Sequence, residues 1–279
     1  MADGRGRLNG ETRPVTAAVM LIHGAWLTPR AWDRFKARYE GRGLTVVAPA
    51  WPLLDAPAEE LRGLSPRTLG RLTLDAVVEA HAAHAVAMVE PPILIGHGLG
   101  GLIVQRLLDG GCGACGVAIA STPPLGLLAR PRAAWALRRL AARWSGATLL
   151  PPEGFAELFA QTLPEDERRL AYVEHVVPAP ARVVRQALLG PGGGAARATR
   201  RRPPLLLIAG DEDRMAPPAM VAAAARHQRR AASRTDLQCF SGRSHWLCNE
   251  PGWEDVADFA LDWALANGRA ALPGQAPKG

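Results

Sequence analysis

Lysine is almost absent from this chain, which affects how its positive charge is interpreted. It occurs only at Lys36 and Lys278, so nearly all of the 33 basic residues are arginine, against 26 acidic residues and a formal net charge of +7. The arginines are scattered among many alanines and glycines, a composition typical of GC-rich coding sequences. The densest group, at 197–202, follows a glycine-rich run at 190–194, which favours a flexible basic loop over an anion site. We therefore expect no nucleic-acid partner.

Long apolar runs and cysteines are also scarce. The first apolar stretch, at 15–22, is too short to span a membrane, and no N-terminal targeting signal precedes it. We expect a cytoplasmic protein without a membrane partner. Among four cysteines, Cys112 and Cys115 form one C-x-x-C, without the second pair or spaced histidines that a zinc site needs. We expect reduced structural thiols, no metal and no cofactor.

Short apolar segments alternate with helix-like segments along the chain. The predicted strands are 15–22, 44–49, 92–96, 115–120, 204–209 and 235–240, and the predicted helices are 29–40, 68–89, 99–109, 216–230 and 253–266. This alternation is typical of an α/β fold, with a mostly parallel central sheet flanked by helices.

The alternation breaks once, over about eighty residues that contain no good strand. Proline-punctuated, helix-like pieces follow one another there, at 131–144, 153–162, 165–175 and 181–189. We interpret 122–202 as a helical lid inserted between two parts of the α/β core, 1–121 and 203–268. The remaining residues, 269–279, are expected to form a disordered tail.

The residue that should carry the chemistry is missing from an otherwise recognisable turn. Residues 95–101 read Ile-Gly-His-Gly-Leu-Gly-Gly, between the apolar run 93–95 and the helix-like stretch 99–108. In the strand–turn–helix motif G-x-S-x-G the central residue is a serine nucleophile, and here it is Gly98. The turn needs strained backbone angles that glycine adopts easily, so we expect the turn to survive with its nucleophile position vacant.

Three other strand ends carry short motifs: H-G-x-W at 23–26, G-x-x-D-x-x-x-P at 210–217 and G-x-x-H at 242–245. Ligands of open α/β sheets bind at the carboxyl ends of the strands, so these motifs should lie near the glycine turn. Together, and in this order, they give the chain a resemblance to the α/β-hydrolase fold family over roughly residues 15–266. It looks most similar to small bacterial members, of an actinobacterial type.

The resemblance implies an acid–base pair. His245 would be the acid or base, and Asp213 the carboxylate that fixes its tautomer and stabilises the charged ring. Asp211 is the rival carboxylate, but the spacing to Pro217 favours Asp213. A histidine that only hydrogen-bonds within its loop is the alternative for His245.

The resemblance also implies an oxyanion hole made by the backbone N–H groups of Ala25 and Leu99. Since backbone donors need no side chain at Gly98, the hole should be intact. Ser244 and Cys248 are the available substitute nucleophiles. Neither follows a strained strand–helix turn, so we expect no hidden nucleophile.

Several aromatic side chains are candidates for binding substrate. Trp26, Trp51 and Trp246 follow predicted strands, and rigid aromatic rings around a cleft suit a flat apolar ligand. His97, within the glycine turn, is assigned to the same lining. Core packing is the alternative for each of the four.

Without a nucleophile, acyl-enzyme chemistry is excluded. A histidine–aspartate pair and an oxyanion hole still suit reactions in which a carbon acid or phenol loses a proton. The family resemblance extends this to C–C bond formation or cyclisation, by aldol- or Michael-type addition, on an aromatic polyketide-like substrate of the anthraquinone or enediyne type. A catalytically dead binding protein and a hydrolase with histidine-activated water are the alternatives. A homodimer is compatible with each of these three functions.

Overall fold

A computed structural model describes residues 17–121, 146–189 and 202–268 of the 279-residue chain. The strands are β1 (Ala18–Ile22), β2 (Thr45–Val47), β3 (Ile93–His97), β4 (Cys115–Ile119), β5 (Ala147–Thr148), β6 (Ala179–Pro180), β7 (Leu205–Gly210) and β8 (Thr235–Phe240). Six of them form one sheet in the order β2-β1-β3-β4-β7-β8, and every neighbouring pair is parallel. All six predicted strands are confirmed in this sheet.

The described helices include some that flank the sheet on each of its two faces and others that belong to the inserted segment. They are α1 (Asp33–Gly41), α2 (Ala58–Arg62), α3 (Pro66–Leu69), α4 (Leu74–Val86), α5 (Leu99–Asp109), α6 (Pro152–Leu158), α7 (Glu165–His175), α8 (Ala181–Leu189), α9 (Pro218–Gln228) and α10 (Trp253–Gly268), with a 3-10 turn at Pro29–Trp32 before α1. Within the three described ranges, no helix is long and apolar enough to cross a membrane.

Alternating side chains of each strand feed two separate cores. In β1, Val19 and Leu21 join the core under α1 and α10, whereas Met20 and Ile22 join the core under α4, α5 and α9. Successive side chains of a strand point to opposite faces, and apolar residues fill both sets because both faces are covered. The sheet is therefore buried on both sides, and only its strand ends are open for chemistry.

The predicted helix at 68–89 is in fact two helices. α3 ends at Leu69, with Gly70 as its C-cap, and α4 begins after Thr73, whose side-chain hydroxyl accepts a hydrogen bond from the N–H of Ala76. A threonine cap of this kind satisfies one of the free N–H groups at a helix start. The apolar pattern alone carried no sign of this break.

The segment 146–189, part of the predicted lid, contains a small sheet that the sequence did not predict. β5 and β6 pair antiparallel, with Thr148 opposite Ala179. Two predicted helices are confirmed as α7 and α8, and the predicted helix at 153–162 is the shorter α6. The predicted helix at 131–144 and the tail at 269–279 lie outside the described residues, as do 190–201.

The position of Arg202 corrects the interpretation of 197–202 as a flexible basic loop at this one residue, since 197–201 lie outside the described residues. It is 7% exposed, and its guanidinium donates hydrogen bonds to Gln228 and Thr235 at 3.1 and 2.8 Å. Burial of a charged group requires such partners, which these two side chains provide. Arg202 is therefore buried just before β7 begins.

Candidate active site

Gly98 lies at the turn between β3 and α5, at the carboxyl edge of the sheet. Its φ is 56° and its ψ −116°, a conformation that side-chain-bearing residues rarely adopt. Its N–H donates to the carbonyl of Ile119 at 2.9 Å. On the next turn, a Cβ at Gly100 would come within 2.1 Å of the carbonyl oxygen of Ile22, so only glycine allows α5 to approach β1 so closely. The predicted strained turn is present.

The vacant side-chain position at Gly98 faces a histidine. A Cβ built there would lie 3.4 Å from Nε2 of His245, an ordinary contact distance at the tight end of the range. A hydroxyl on that carbon would be within hydrogen-bonding reach of the imidazole, the arrangement of nucleophile and base in acyl transfer. The turn therefore places position 98 where a side-chain hydroxyl would reach Nε2 of His245.

His245 and Asp213 form the predicted pair. The Nδ1–H of His245 donates to Oδ2 of Asp213 at 2.8 Å, and the two side chains are 4% and 0% exposed. The other carboxylate oxygen accepts the N–H groups of Met215 and Ala216 at 2.8 and 2.7 Å. The carboxylate is thereby fixed by its own loop and holds the imidazole with Nε2 toward Gly98.

Asp211, the rival carboxylate, serves a different purpose. It is exposed and accepts hydrogen bonds from the Ser241 hydroxyl and the Gly242 N–H, at 2.9 and 2.6 Å. The hydrogen bond from Ser241, assisted by backbone N–H groups, lowers the pKa of Asp211. Asp211 thus secures the turn that leads to the histidine loop, and Asp213 is the partner of His245.

The backbone around Ala25 and Leu99 lines the same pocket as Gly98 and His245. Leu99 is the first residue of α5, so its N–H has no acceptor within its own helix and lies at the positive end of the helix dipole. A Cβ at Gly24 would lie 2.9 Å from the carbonyl oxygen of His97, so glycine there lets the β1 loop close against the turn. Both predicted oxyanion donors lie beside the vacant position.

His97 forms a hydrogen bond with the backbone of the loop that carries His245. Its Nε2–H donates to the carbonyl oxygen of His245 at 2.8 Å, and the two rings are 4.7 Å apart. Burial, with a smaller contribution from the neighbouring His245, lowers the pKa of His97 to about 3. A neutral imidazole can keep donating this single hydrogen bond throughout the neutral range, so His97 orients the backbone of His245 as well as lining the pocket.

Apart from His97, His245 and the backbone N–H groups near Gly98, the lining of the pocket is apolar. Between the described residues the cavity has a volume of about 40 Å³, below the roughly 300–1,000 Å³ of typical small-molecule sites. Trp26 forms part of its wall, as predicted, and is held at a φ of 63°, rare for a bulky residue. Its indole N–H donates to the carbonyl of Thr148 at 3.1 Å, which ties the wall to β5.

Trp51 and Trp246 correct the prediction that all three strand-end tryptophans line this pocket. Trp51 is 1% exposed, and its indole stacks on the ring of His23 with centroids 5.0 Å apart. The backbone N–H of Trp51 donates a hydrogen bond to Nε2 of the same imidazole. Trp246 is 3% exposed, packs edge-to-face on Phe155 and borders a separate, smaller cavity. Their loops turn these indoles inward, where burial of a large ring stabilises the core most.

Sequence reasoning missed the apolar residues that the inserted segment contributes. Phe159 is 2% exposed, lines the pocket and packs edge-to-face on the His245 ring at 4.3 Å. Val184 and Leu188, one turn apart on α8, complete the wall together with Met215. Nothing in the strand-end pattern pointed to them, and the sequence predicted only that 181–189 is helical.

The substitute nucleophiles lie elsewhere. Cys248 is buried, borders the smaller cavity, and has its pKa raised well above the ordinary value by burial. The Ser244 hydroxyl donates to Glu250 at 2.6 Å. Neither lines the pocket at Gly98. Among residues 17–121, 146–189 and 202–268, no three histidine, cysteine or acidic side chains are grouped so as to hold a metal ion.

Comparison with known proteins supports the fold from two directions. The sequence profile of the alpha/beta hydrolase family matches residues 19–259. An extracellular alpha/beta-hydrolase from a Paenibacillus species superposes with a TM-score of 0.66 at 17% identity, covering 88% of this chain and 98% of its own. A pyrethroid hydrolase from Sphingobium faniae gives 0.64 at 18% identity, with 91% and 99% covered. A variant of tomato methylketone synthase I with bound beta-ketoheptanoate gives 0.61 at 14% identity, with 92% and 100% covered. None of the curated proteins matches this sequence.

Proposed function

The chain belongs to the alpha/beta hydrolase family, and from this premise we propose that it is a non-hydrolytic enzyme of that family. One observation carries the proposal. The side-chain position at Gly98 points at Nε2 of His245 from 3.4 Å, but no nucleophile occupies it. The His245–Asp213 pair and the backbone donors of Ala25 and Leu99 surround that position. What remains is a proton-transfer site with a hole for a developing oxyanion.

The proposed reaction is C–C bond formation or cyclisation. Nε2 of His245 removes a proton from a carbon acid or phenol, and the resulting enolate or phenolate oxygen is stabilised by the N–H groups of Ala25 and Leu99. The nucleophilic carbon then adds to a carbonyl or to an unsaturated carbonyl. The imidazolium returns its proton to the alkoxide or to the α-carbon, so no net acid or base is consumed. Asp213 stabilises the imidazolium in between.

The proposed substrate is an apolar aromatic compound, such as a polyketide-like anthraquinone or enediyne precursor in secondary metabolism. Trp26 and Phe159 offer aromatic edges and faces, and Val184 and Leu188 offer aliphatic surface. Stacking of an aromatic ligand adds about 0.5–1.5 kcal/mol per ring pair beyond area burial. Removal of a serine side chain leaves additional room beside His245. That the fold also occurs in a synthase with a bound β-keto acid supports chemistry other than hydrolysis.

The deciding experiment is labelling with a fluorophosphonate, read by intact mass, on three forms of the chain: native, Gly98→Ser and Gly98→Ala. We expect only Gly98→Ser to gain one phosphonyl group, because only that variant places a hydroxyl next to Nε2 of His245. Gly98→Ala is the matched control, since it carries the same backbone strain of about 1–3 kcal/mol without a nucleophile.

Other labelling results would point to the alternatives. Labelling of the native chain would reveal another nucleophile and overturn the proposal. If no form labels while Gly98→Ser stays folded by circular dichroism, the site is inactive and the chain is a binding protein. Native turnover of an activated ester without a covalent intermediate, abolished by His245→Ala, would instead identify a hydrolase with histidine-activated water.

A further inference from the structure

Within the four residues 159–162 of the inserted segment, Phe159, Gln161 and Thr162 hydrogen-bond to the two loops that carry the acid–base pair. We call residues 159–162 the clamp segment. The carbonyl of Phe159 accepts the N–H of Trp246 at 2.9 Å, immediately after His245. The side-chain amide of Gln161 donates to the carbonyl of Glu212, immediately before Asp213. The clamp segment therefore joins the neighbours of both members of the pair.

The last contact of the clamp segment is with a buried carboxylate. Glu250 is 1% exposed, and one of its oxygens accepts the N–H of Ser244 at 2.8 Å. Its other oxygen accepts the hydroxyl of Ser244 at 2.6 Å and also the hydroxyl of Thr162. Hydrogen bonds to a carboxylate are about twice as strong as neutral ones. Glu250 therefore ties the residue before His245 to the clamp segment through Thr162.

The same loop is held from three sides. His97 donates to the carbonyl oxygen of His245, Glu250 holds Ser244, and Phe159 accepts from Trp246. The direction of the His245 side chain is set by the backbone at 244–246, so each of these contacts limits its rotation away from Asp213. Among the described residues, Glu250 alone connects that backbone by hydrogen bonds to a side chain of the clamp segment, the hydroxyl of Thr162.

We propose that Glu250 and Thr162 are positioning residues that align His245 with Asp213 through the backbone of Ser244. Neither residue lines the pocket formed by the described residues, so each acts through the histidine loop and not on a bound molecule. The inference rests on the proposed function to the extent that His245 is the working base. Docking of the clamp segment thereby becomes a condition for a competent base.

Removal of one hydroxyl tests the arrangement with little change in shape. Thr162→Val replaces the hydroxyl by a methyl group and leaves Glu250 one donor short, whereas Thr162→Ser keeps the donor. Loss of one hydrogen bond to a charged acceptor lowers the reaction rate about tenfold if the whole free energy of that bond contributes to the alignment of His245. We expect the phosphonylation rate of the Gly98→Ser chain to fall about tenfold with Thr162→Val and to be restored with Thr162→Ser.

The second readout does not depend on the Gly98→Ser change. The Nδ1–H of an imidazole bonded to a carboxylate gives a strongly downfield proton resonance, here assigned by its loss in Asp213→Asn. We expect Thr162→Val and Glu250→Gln to shift or broaden this resonance in an otherwise native chain, and Thr162→Ser to leave it in place. Thr68→Val, at an exposed threonine on α3, is the control for a generic threonine-to-valine change.

The outcomes separate this inference from the proposed function. If the resonance is present and neither Thr162→Val nor Glu250→Gln moves it, a purely structural role is shown and the inference is overturned, even if both variants are less stable. If the native chain shows no such resonance and Gly98→Ser does not label, the acid–base pair itself is absent and both proposals fail. A resonance that moves with Thr162→Val and returns with Thr162→Ser supports the positioning role.

Discussion

At the scale of single residues, two carboxylates two positions apart have different partners, and only one of them is bonded to His245. Asp213 orients His245, whereas Asp211 holds the turn at Ser241. In the Gly98→Ser background we expect Asp213→Asn to slow phosphonylation by about 10³- to 10⁴-fold, because the amide favours the wrong imidazole tautomer. Asp211→Asn is the matched control and should change the rate by less than about threefold, since an amide oxygen can still accept from Ser241. Rates followed by intact mass measure both, and equal effects would contradict the assignment.

At the scale of the helix, α8 presents two side chains one turn apart to the pocket. Val184 and Leu188 are 3% and 4% exposed and form its apolar wall. We expect Val184→Trp to fill this part of the pocket. In the Gly98→Ser background it should slow labelling by a bulky aromatic phosphonate at least about tenfold. A tenfold change corresponds to roughly 1.4 kcal/mol of added activation free energy, caused by overpacking when the probe is bound.

The same helix supplies the control. Arg182 is exposed on α8, so Arg182→Trp adds an indole without reaching the pocket. A small dialkyl phosphonate should label all three chains at similar rates. If Val184→Trp slows the small and the bulky probe equally, the helix does not form the wall of the substrate site and its effect is on the acid–base pair instead.

The turn between β3 and α5 depends on glycine for reasons other than the missing nucleophile. A Cβ at Gly100 would lie 2.1 Å from the carbonyl oxygen of Ile22, so Gly100→Ala must push α5 away from β1. We expect it to lower the free energy of unfolding by about 3 kcal/mol or more. Gly41→Ala, with no atom within 4 Å of the added carbon, should change it by no more than about 1 kcal/mol. Urea denaturation compares the two, and similar stabilities would contradict the close approach.

The elements show which parts of the molecule the sequence could predict. Strands were found because both faces of the sheet are covered, and this produces short, wholly apolar runs such as 93–95. The acid–base pair was predicted because the motifs at 210–217 and 242–245 resemble those of the α/β-hydrolase fold family. The break between α3 and α4 was missed, since it depends on the local cap at Thr73 within a continuous apolar pattern.

The pocket wall was the least predictable part of the site. Phe159 reaches His245 only through the tertiary course of the inserted segment, and the spacing of residues along the chain says nothing about that course. Trp51 and Trp246 were assigned to the wall because they follow strands, but their indoles turn into the core. Position at a strand end predicts where a loop begins, not which way its side chain points.

At the scale of the whole molecule, buried neutral histidines make stability depend on pH. Burial lowers the pKa of both His23 and His97 to about 3, from an ordinary value of 6.5. In the unfolded chain these groups take up protons below pH 6.5, whereas in the folded chain they do so only near pH 3. Protonation therefore favours unfolding as pH falls through this window. We expect a loss of about 1.4 kcal/mol per pH unit for each histidine, most of it between pH 6 and 4.

Urea midpoints at pH 7.5, 6 and 5 measure this slope. His97→Gln should reduce it by the contribution of one proton, although the variant is less stable overall because the His245 carbonyl loses a donor. His84→Gln changes an exposed histidine on α4 and serves as the control. A stability that is flat between pH 7.5 and 5 would mean that the two imidazoles are hydrated and not sealed in the core.

The vacant position at Gly98 also has a genetic consequence. Glycine and serine codons can differ by a single base, and the surrounding backbone already holds the angles that a nucleophile needs. One point mutation would therefore place a hydroxyl opposite His245 without any rebuilding of the turn. Such a change would add to this turn a group that can be trapped as a covalent ester.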